Sequence, residues 1–188
     1  RPNLGLGEVE DLVKHDVSLA VRVLKTVNSA AFGVRREITS IRQALVMLGA
    51  EQIRKWASVW AMAGLSAGEA PGAVAVALVR ARCCEAAGEL VADGAGSSYF
   101  LLGLCSLLDV ILRCPMASAL RDMPLPAMVR DALLGQANPA RTILDAFIAY
   151  ERGQRDEASR AAEAAGLPGS SLPTIYADAL RWARELSR

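Results

Sequence analysis

The chain has 188 residues, of which 53% are hydrophobic and 22% charged, with a formal net charge of +1. That composition fits one globular domain, or a domain with an extension, and excludes a disordered chain. Near-neutral charge gives no global pull toward nucleic acid or a membrane surface, and 5% aromatics supply little for base stacking.

The start, "RPNLGLGEVEDL", carries no hydrophobic signal core and no initiator Met. The expectation is a piece of a longer protein, with an upstream domain attached near Leu4 and Leu6. Asp16 suits an N-cap, and Leu19, Ala20, Val23, Leu24, Val27 and Ala31 then form one apolar helical stripe that Gly33 ends. Ser40 suits the cap of a short helix with Ile41, Ala44, Leu45 and Leu48 on one face and Gly49 at its close. Glu51 to Leu65 reads as a helix carrying Trp56 and Trp60 at i, i+4.

After the loop "SAGEAPG", Ala73 to Ala92 reads as a long helix, and "DGAGSS" breaks it. Tyr99 to Leu112 is strongly apolar and reads as central to the core. Proline then punctuates "CPM" and "MPLP". Pro126 to Leu134, Pro139 to Arg152, Asp156 to Ala165 and Thr174 to Ser187 complete the series, the last with Ile175, Ala179, Trp182 and Leu186 inward. Alternating β-branched runs are missing. The fold class is therefore all-α, an irregular multi-helix bundle. Residues 1–135 read as its core and 136–188 as a helical extension packed on the same domain. Every apolar run is broken by charge or glycine before a membrane span is reached, so no membrane partner is expected.

Chemistry-bearing motifs are few. Cys83, Cys84, Cys105 and Cys114 form no C-x-x-C, and His15 is the single histidine. Zinc spacing is thus absent, and buried free thiols in a reducing cytoplasm are expected. His15-Asp16 has the look of a metal dyad, but a hydrolytic metal site needs several converging ligands, and no second histidine is offered. Asp16 as a cap beside a surface imidazole accounts for the pair. No nucleophile elbow, P-loop or dinucleotide fingerprint occurs. Asn28 lies on the apolar stripe, where an amide must be hydrogen-bonded. Asn28 and Ser29 therefore read as a structural polar anchor or, alternatively, as a ligand contact. Trp56 and Trp60 read either as core or as interface anchors beside Arg54 and Lys55.

"HDVSLAVRVLKTVNSAAFGVRREITSIRQALVMLG" resembles the opening of an HDOD domain, an HD-related output domain of bacterial signalling proteins. Asp16, Leu19, Leu24, Asn28, Ser29, Ala30, Phe32, Ile38, Ser40, Ile41, Ala44, Leu48 and Gly49 carry the likeness. The family's usual proline after the aspartate is Val17 here, which loses a rigid helix start but keeps the cap. "RARCCE", "FLLGLCSLLDVILRCPM", "PLPAMVRDALLG" and "ILDAFIAYERG" resemble the branch in which the domain follows an EAL cyclic-di-GMP phosphodiesterase domain.

The resemblance implies a fold related to HD domains. In catalytic HD domains the metal dyad lies in a core helix, in a pattern like G-L-L-H-D-I-G. The stretch similar to it here is Gly103-Leu104-Cys105-Ser106-Leu107-Leu108-Asp109, with Ser106 and Leu107 at the vacated dyad. The implied function is a non-catalytic output module that works through protein contacts, with no metal or cofactor. Its implied partner is an upstream EAL domain or another signalling protein, in the cytoplasm, with oligomerisation open. The alternative is a small-nucleotide sensor that uses the vacated pocket without metal.

Overall fold

The computed structural model describes residues 28, 38–40, 42–44, 46–47, 49, 71–91, 96–121 and 125–186. Two compact units are present. One comprises Arg1–Leu65 with Arg184–Arg188, and the other Ser66–Ala183. Among the described residues every regular element is a helix, as the chain's periodicity demands. The expected division at residue 135 falls inside the second unit, whose helices on both sides of it share one core.

That unit opens with α1 (Pro71–Val91), which packs along α2 (Gly96–Cys105). α1 buries Ala77, Ala81, Cys84 and Ala87 at three-four spacing, a stripe of small side chains that lets another helix approach closely. α2 supplies the bulk in return. Phe100, Leu102 and Leu104 are buried, and Phe100 meets Trp182 edge to face at 6.3 Å.

The apolar segment from Tyr99 to Leu112 is divided between two helices, α2 and α3 (Leu108–Leu112). The Ser106 hydroxyl donates to the Gly103 carbonyl at 2.7 Å, while the Ser106 N–H makes a long 3.3 Å bond to the same oxygen. A side chain that competes for a helix carbonyl offers the backbone a way out of the helix. Leu107 then leaves helical geometry at φ −124°, ψ 20°. Arg113, at φ 52°, ends α3, and Pro115 precedes the four-residue α4 (Met116–Ala119), which the chain's periodicity does not announce.

α5 (Ala127–Leu133), α6 (Pro139–Glu151) and α7 (Arg155–Ala164) follow their local signals closely. Asn138 caps α6 by accepting the Arg141 N–H at 2.8 Å, with Pro139 at the first helical position. α5 ends on Gly135 at φ 88°, where the Gln136 N–H bonds the Asp131 carbonyl and the Gly135 N–H that of Ala132. This is the Schellman closure, which wants a left-handed residue and so favours glycine. Gly153 closes α6 in the same way. A short 3-10 turn, Gly169–Ser171, leads into α8 (Leu172–Leu186), which buries Ala179 fully. Ile143, Phe147, Leu167 and Leu172 join the α2 side chains in the core.

Candidate functional site

Gly103 fixes where α1 and α2 cross. A Cβ on it would stand 2.5 Å from the Ala81 backbone nitrogen and closer still to the Arg80 carbonyl. No side chain fits there unless the backbones part. One turn of contact further along, a Cβ on Gly88 would stand 2.6 Å from Tyr99 Cγ and closer still to the ring's Cδ2. These glycines bring the C-terminal end of α2, with Ser106, against the middle of α1.

Arg80 projects from α1 at that crossing. Its Nε–H reaches both carboxylate oxygens of Glu151 at 3.0 Å, and Nη2 donates to Oε2 at 2.6 Å. Nη1 donates to Ser106 Oγ at 3.3 Å, and that hydroxyl in turn donates a hydrogen bond to the Gly103 carbonyl. One guanidinium thus ties the middle of α1, the end of α2 and the last residue of α6. The side chains of Arg80 and Glu151 are only 11% and 13% exposed. A charge so placed needs its partner, since losing one leaves the other desolvated and uncompensated. Glu151 also ends α6, where the helix dipole opposes an acid and no basic residue lies in the last turn. The guanidinium is what makes an acid tenable there.

Three groups share this polar cluster. Burial pushes the Cys84 thiol up to about 12, with Arg80 pulling down and Glu151 pushing up. The Cys83 thiol is also raised, first by burial, then by Cys84 and Glu151. The Tyr176 hydroxyl is raised by burial and by Glu151, and its ring lies 5.2 Å from that of Tyr150. Burial alone takes Cys105 to about 12. Thiols held this far up are protonated at neutral pH and are poor nucleophiles and poor ligands. Among the described residues no group of three or more His, Cys, Asp or Glu is placed to hold a metal ion.

In the other unit, Asn28 brackets Ile38. Its Nδ2 donates to the Ile38 carbonyl and its Oδ1 accepts the Ile38 N–H, both at 2.7 Å. Ile38 is 2% exposed, so the amide satisfies two backbone groups at a buried residue. Asn28 itself is exposed, not sunk in the apolar stripe where its spacing placed it. Ser40 Oγ accepts the Gln43 N–H at 3.1 Å, while the Gln43 side chain takes the Thr39 N–H at 3.0 Å, a reciprocal cap. Gly49 sits at φ 82° with open space around it, so conformation and not crowding calls for glycine.

Of the other residues singled out in the sequence, Ser106 and Leu107 lie at the break after α2, with Ser106 bonded as above. Leu4, Leu6, His15, Asp16, Val17, Ser29, Trp56 and Trp60 lie outside the described residues. The sequence reading missed the Arg80–Glu151 pair. Its one signal is an arginine within the nearly apolar run "AVAVALVRA". The partner is 71 residues away, and nothing local points to it.

A family model for the HDOD domain matches residues 1–132. The "Uncharacterized protein YuxH" of Bacillus subtilis is 28% identical over 189 aligned residues, which cover 99% of this chain and 45% of the relative. The "Cyclic di-GMP phosphodiesterase CdgJ" of Vibrio cholerae is 26% identical over 100% of this chain and 44% of the relative. The chain therefore spans less than half the length of these curated relatives. No solved structure matches it. Among the described residues no helix is long and apolar enough to cross a membrane.

Proposed function

The chain belongs to the HDOD family, and from that premise we propose that it is a non-catalytic output module of a cyclic-di-GMP-linked signalling protein. It acts through contacts with a neighbouring domain or another protein. Support for the signalling context comes from the relative named as a cyclic di-GMP phosphodiesterase, which aligns with the whole of this chain. Any phosphodiesterase activity of a longer protein would then reside in the part that this chain does not span.

The observation that carries the non-catalytic reading is the state of Ser106. The position that resembles the metal dyad of catalytic HD domains holds a serine whose hydroxyl accepts from Arg80 and donates to Gly103. Leu107 beside it has no ligand atom. Among the described residues the hydroxyl donates to a backbone carbonyl and not to a general base, and the nearby cation is a guanidinium already neutralised by Glu151. The same commitment speaks against a nucleotide sensor at this position, since a phosphate would have to displace a bidentate carboxylate.

Calorimetric titration of the purified chain with cyclic di-GMP tests the choice between the two readings. The module reading expects no saturable binding. Stoichiometric binding that Arg80→Ala abolishes would turn the assignment over to the nucleotide sensor.

A further inference from the structure

The family match ends at residue 132, so α6, α7 and α8 lie beyond it. The contacts run across that limit. α6 packs against α1, α2 and α5, and its Ile143 and Phe147 are fully buried. Its last residue, Glu151, neutralises Arg80 of α1. Beyond α7, the Cβ position of Gly166 lies 4.0 Å from Val91 Cγ1, at the far end of α1. From α8, Tyr176 lies close enough to Cys83 and Arg80 for their charges to act on its hydroxyl. Trp182, also from α8, meets the buried Phe100 of α2 edge to face. These contacts follow α1 from Arg80 to Val91, about three helical turns. A chain that stopped at residue 132 would leave Arg80 without its counter-ion and Phe100 without its aromatic partner.

We propose that the face of α1 and α2 bearing Arg80 and Phe100 is an interaction surface whose partner is this chain's own segment 139–183, latched by Glu151. The smallest competent module then ends near residue 183, where the second compact unit ends, and not at 132. Both curated relatives align with 99% or more of this chain, so a counterpart of the segment accompanies the domain in each. For a module that works by contact, this face is already taken, and a neighbouring domain has to dock elsewhere. Such a latch would hold in a catalytic and a non-catalytic module alike, so its test is independent of that assignment.

A site for a sequence-specific protease, inserted between the exposed Gln136 and Ala137, lets the folded chain be cut between α5 and α6. Size exclusion follows whether the two pieces stay together, and hydrogen exchange of α1 and α2 follows the fold of the first piece. The pieces are expected to co-elute with native protection in both helices. Glu151→Leu in the cut chain is expected to loosen the complex about a hundredfold, the scale of an uncompensated buried charge. The first piece so released is expected to lose protection in α1 and α2. Adding Arg80→Met is expected to restore most of the affinity. Pieces that part while α1 and α2 keep native protection overturn the latch, because the segment is then a dispensable appendage. Equal affinities with and without Glu151→Leu overturn it as well.

Discussion

Gly103 and Arg80 meet backbone to backbone, with no room for a methyl group between them. A Gly103→Ala change must push α2 off α1, an overpacking cost of about 1–3 kcal/mol. Gly72, near the start of the same α1, has nothing within 4 Å of a Cβ position. Gly72→Ala is therefore expected to be neutral or to stabilise by up to ~1 kcal/mol through helix propensity. Urea midpoints of the two variants check the contrast. Equal shifts would mean that the close crossing does not constrain the fold.

Breaking the Arg80–Glu151 pair from one side should cost more than removing it whole. Glu151→Leu leaves a guanidinium that is 11% exposed without its counter-ion, at about 3 kcal/mol. Adding Arg80→Met should recover most of that loss. A double-mutant cycle by denaturant unfolding measures the coupling. Simple additivity of the two single effects would show the pair to be energetically idle.

Asn28 is a two-handed clamp on Ile38. Asn28→Ala leaves both backbone groups of a buried residue to find other partners, at a cost of about 1–3 kcal/mol. Asn28→Asp keeps the acceptor and loses the donor, so it should fall between. His15→Ala, by contrast, is expected to be nearly silent. Three midpoints in the opposite order would refute the clamp.

The buried thiols give stability a pH dependence. Folding raises Cys84 and Cys105 from the ordinary 9.0 to about 12. Below pH 9 both states carry the proton, and these groups leave stability untouched. As pH rises from 9 toward 12 the unfolded thiols ionise while the folded ones stay protonated, so protons favour the native state less and stability falls. The slope is on the order of 1 kcal/mol per pH unit for each thiol. Urea midpoints at pH 7 and pH 10 read it, and a midpoint that holds or rises at pH 10 would contradict the burial of these groups.

Much of the second unit was legible because its signals are local. Asn138-Pro139 marks a helix start and Gly135 and Gly153 mark helix ends through geometry within a few residues. The start and end of α6 accordingly fall where the sequence places them, to within a residue. The break at Ser106 was not legible, since it depends on whether one hydroxyl turns back to Gly103 or out to solvent. The polar centre of the candidate site was hidden for a different reason. Arg80 and Glu151 are ordinary helix residues in sequence, and only the packing of α6 against α1 makes them partners. Gly103 stood in view within "FLLGLC", yet only the crossing shows why it must be glycine. Asn28 drew notice through its spacing, but its partner is the backbone of Ile38, which no side-chain pattern encodes.

The central claim is that Ser106 and Leu107 end metal chemistry at this position. The most direct measurement is metal analysis of the purified chain after incubation with Mn²⁺ and Fe²⁺, run beside a cyclic di-GMP hydrolysis assay. The account predicts no stoichiometric metal and no linear dinucleotide product. One equivalent or more of bound metal, with turnover of the cyclic dinucleotide, would contradict it.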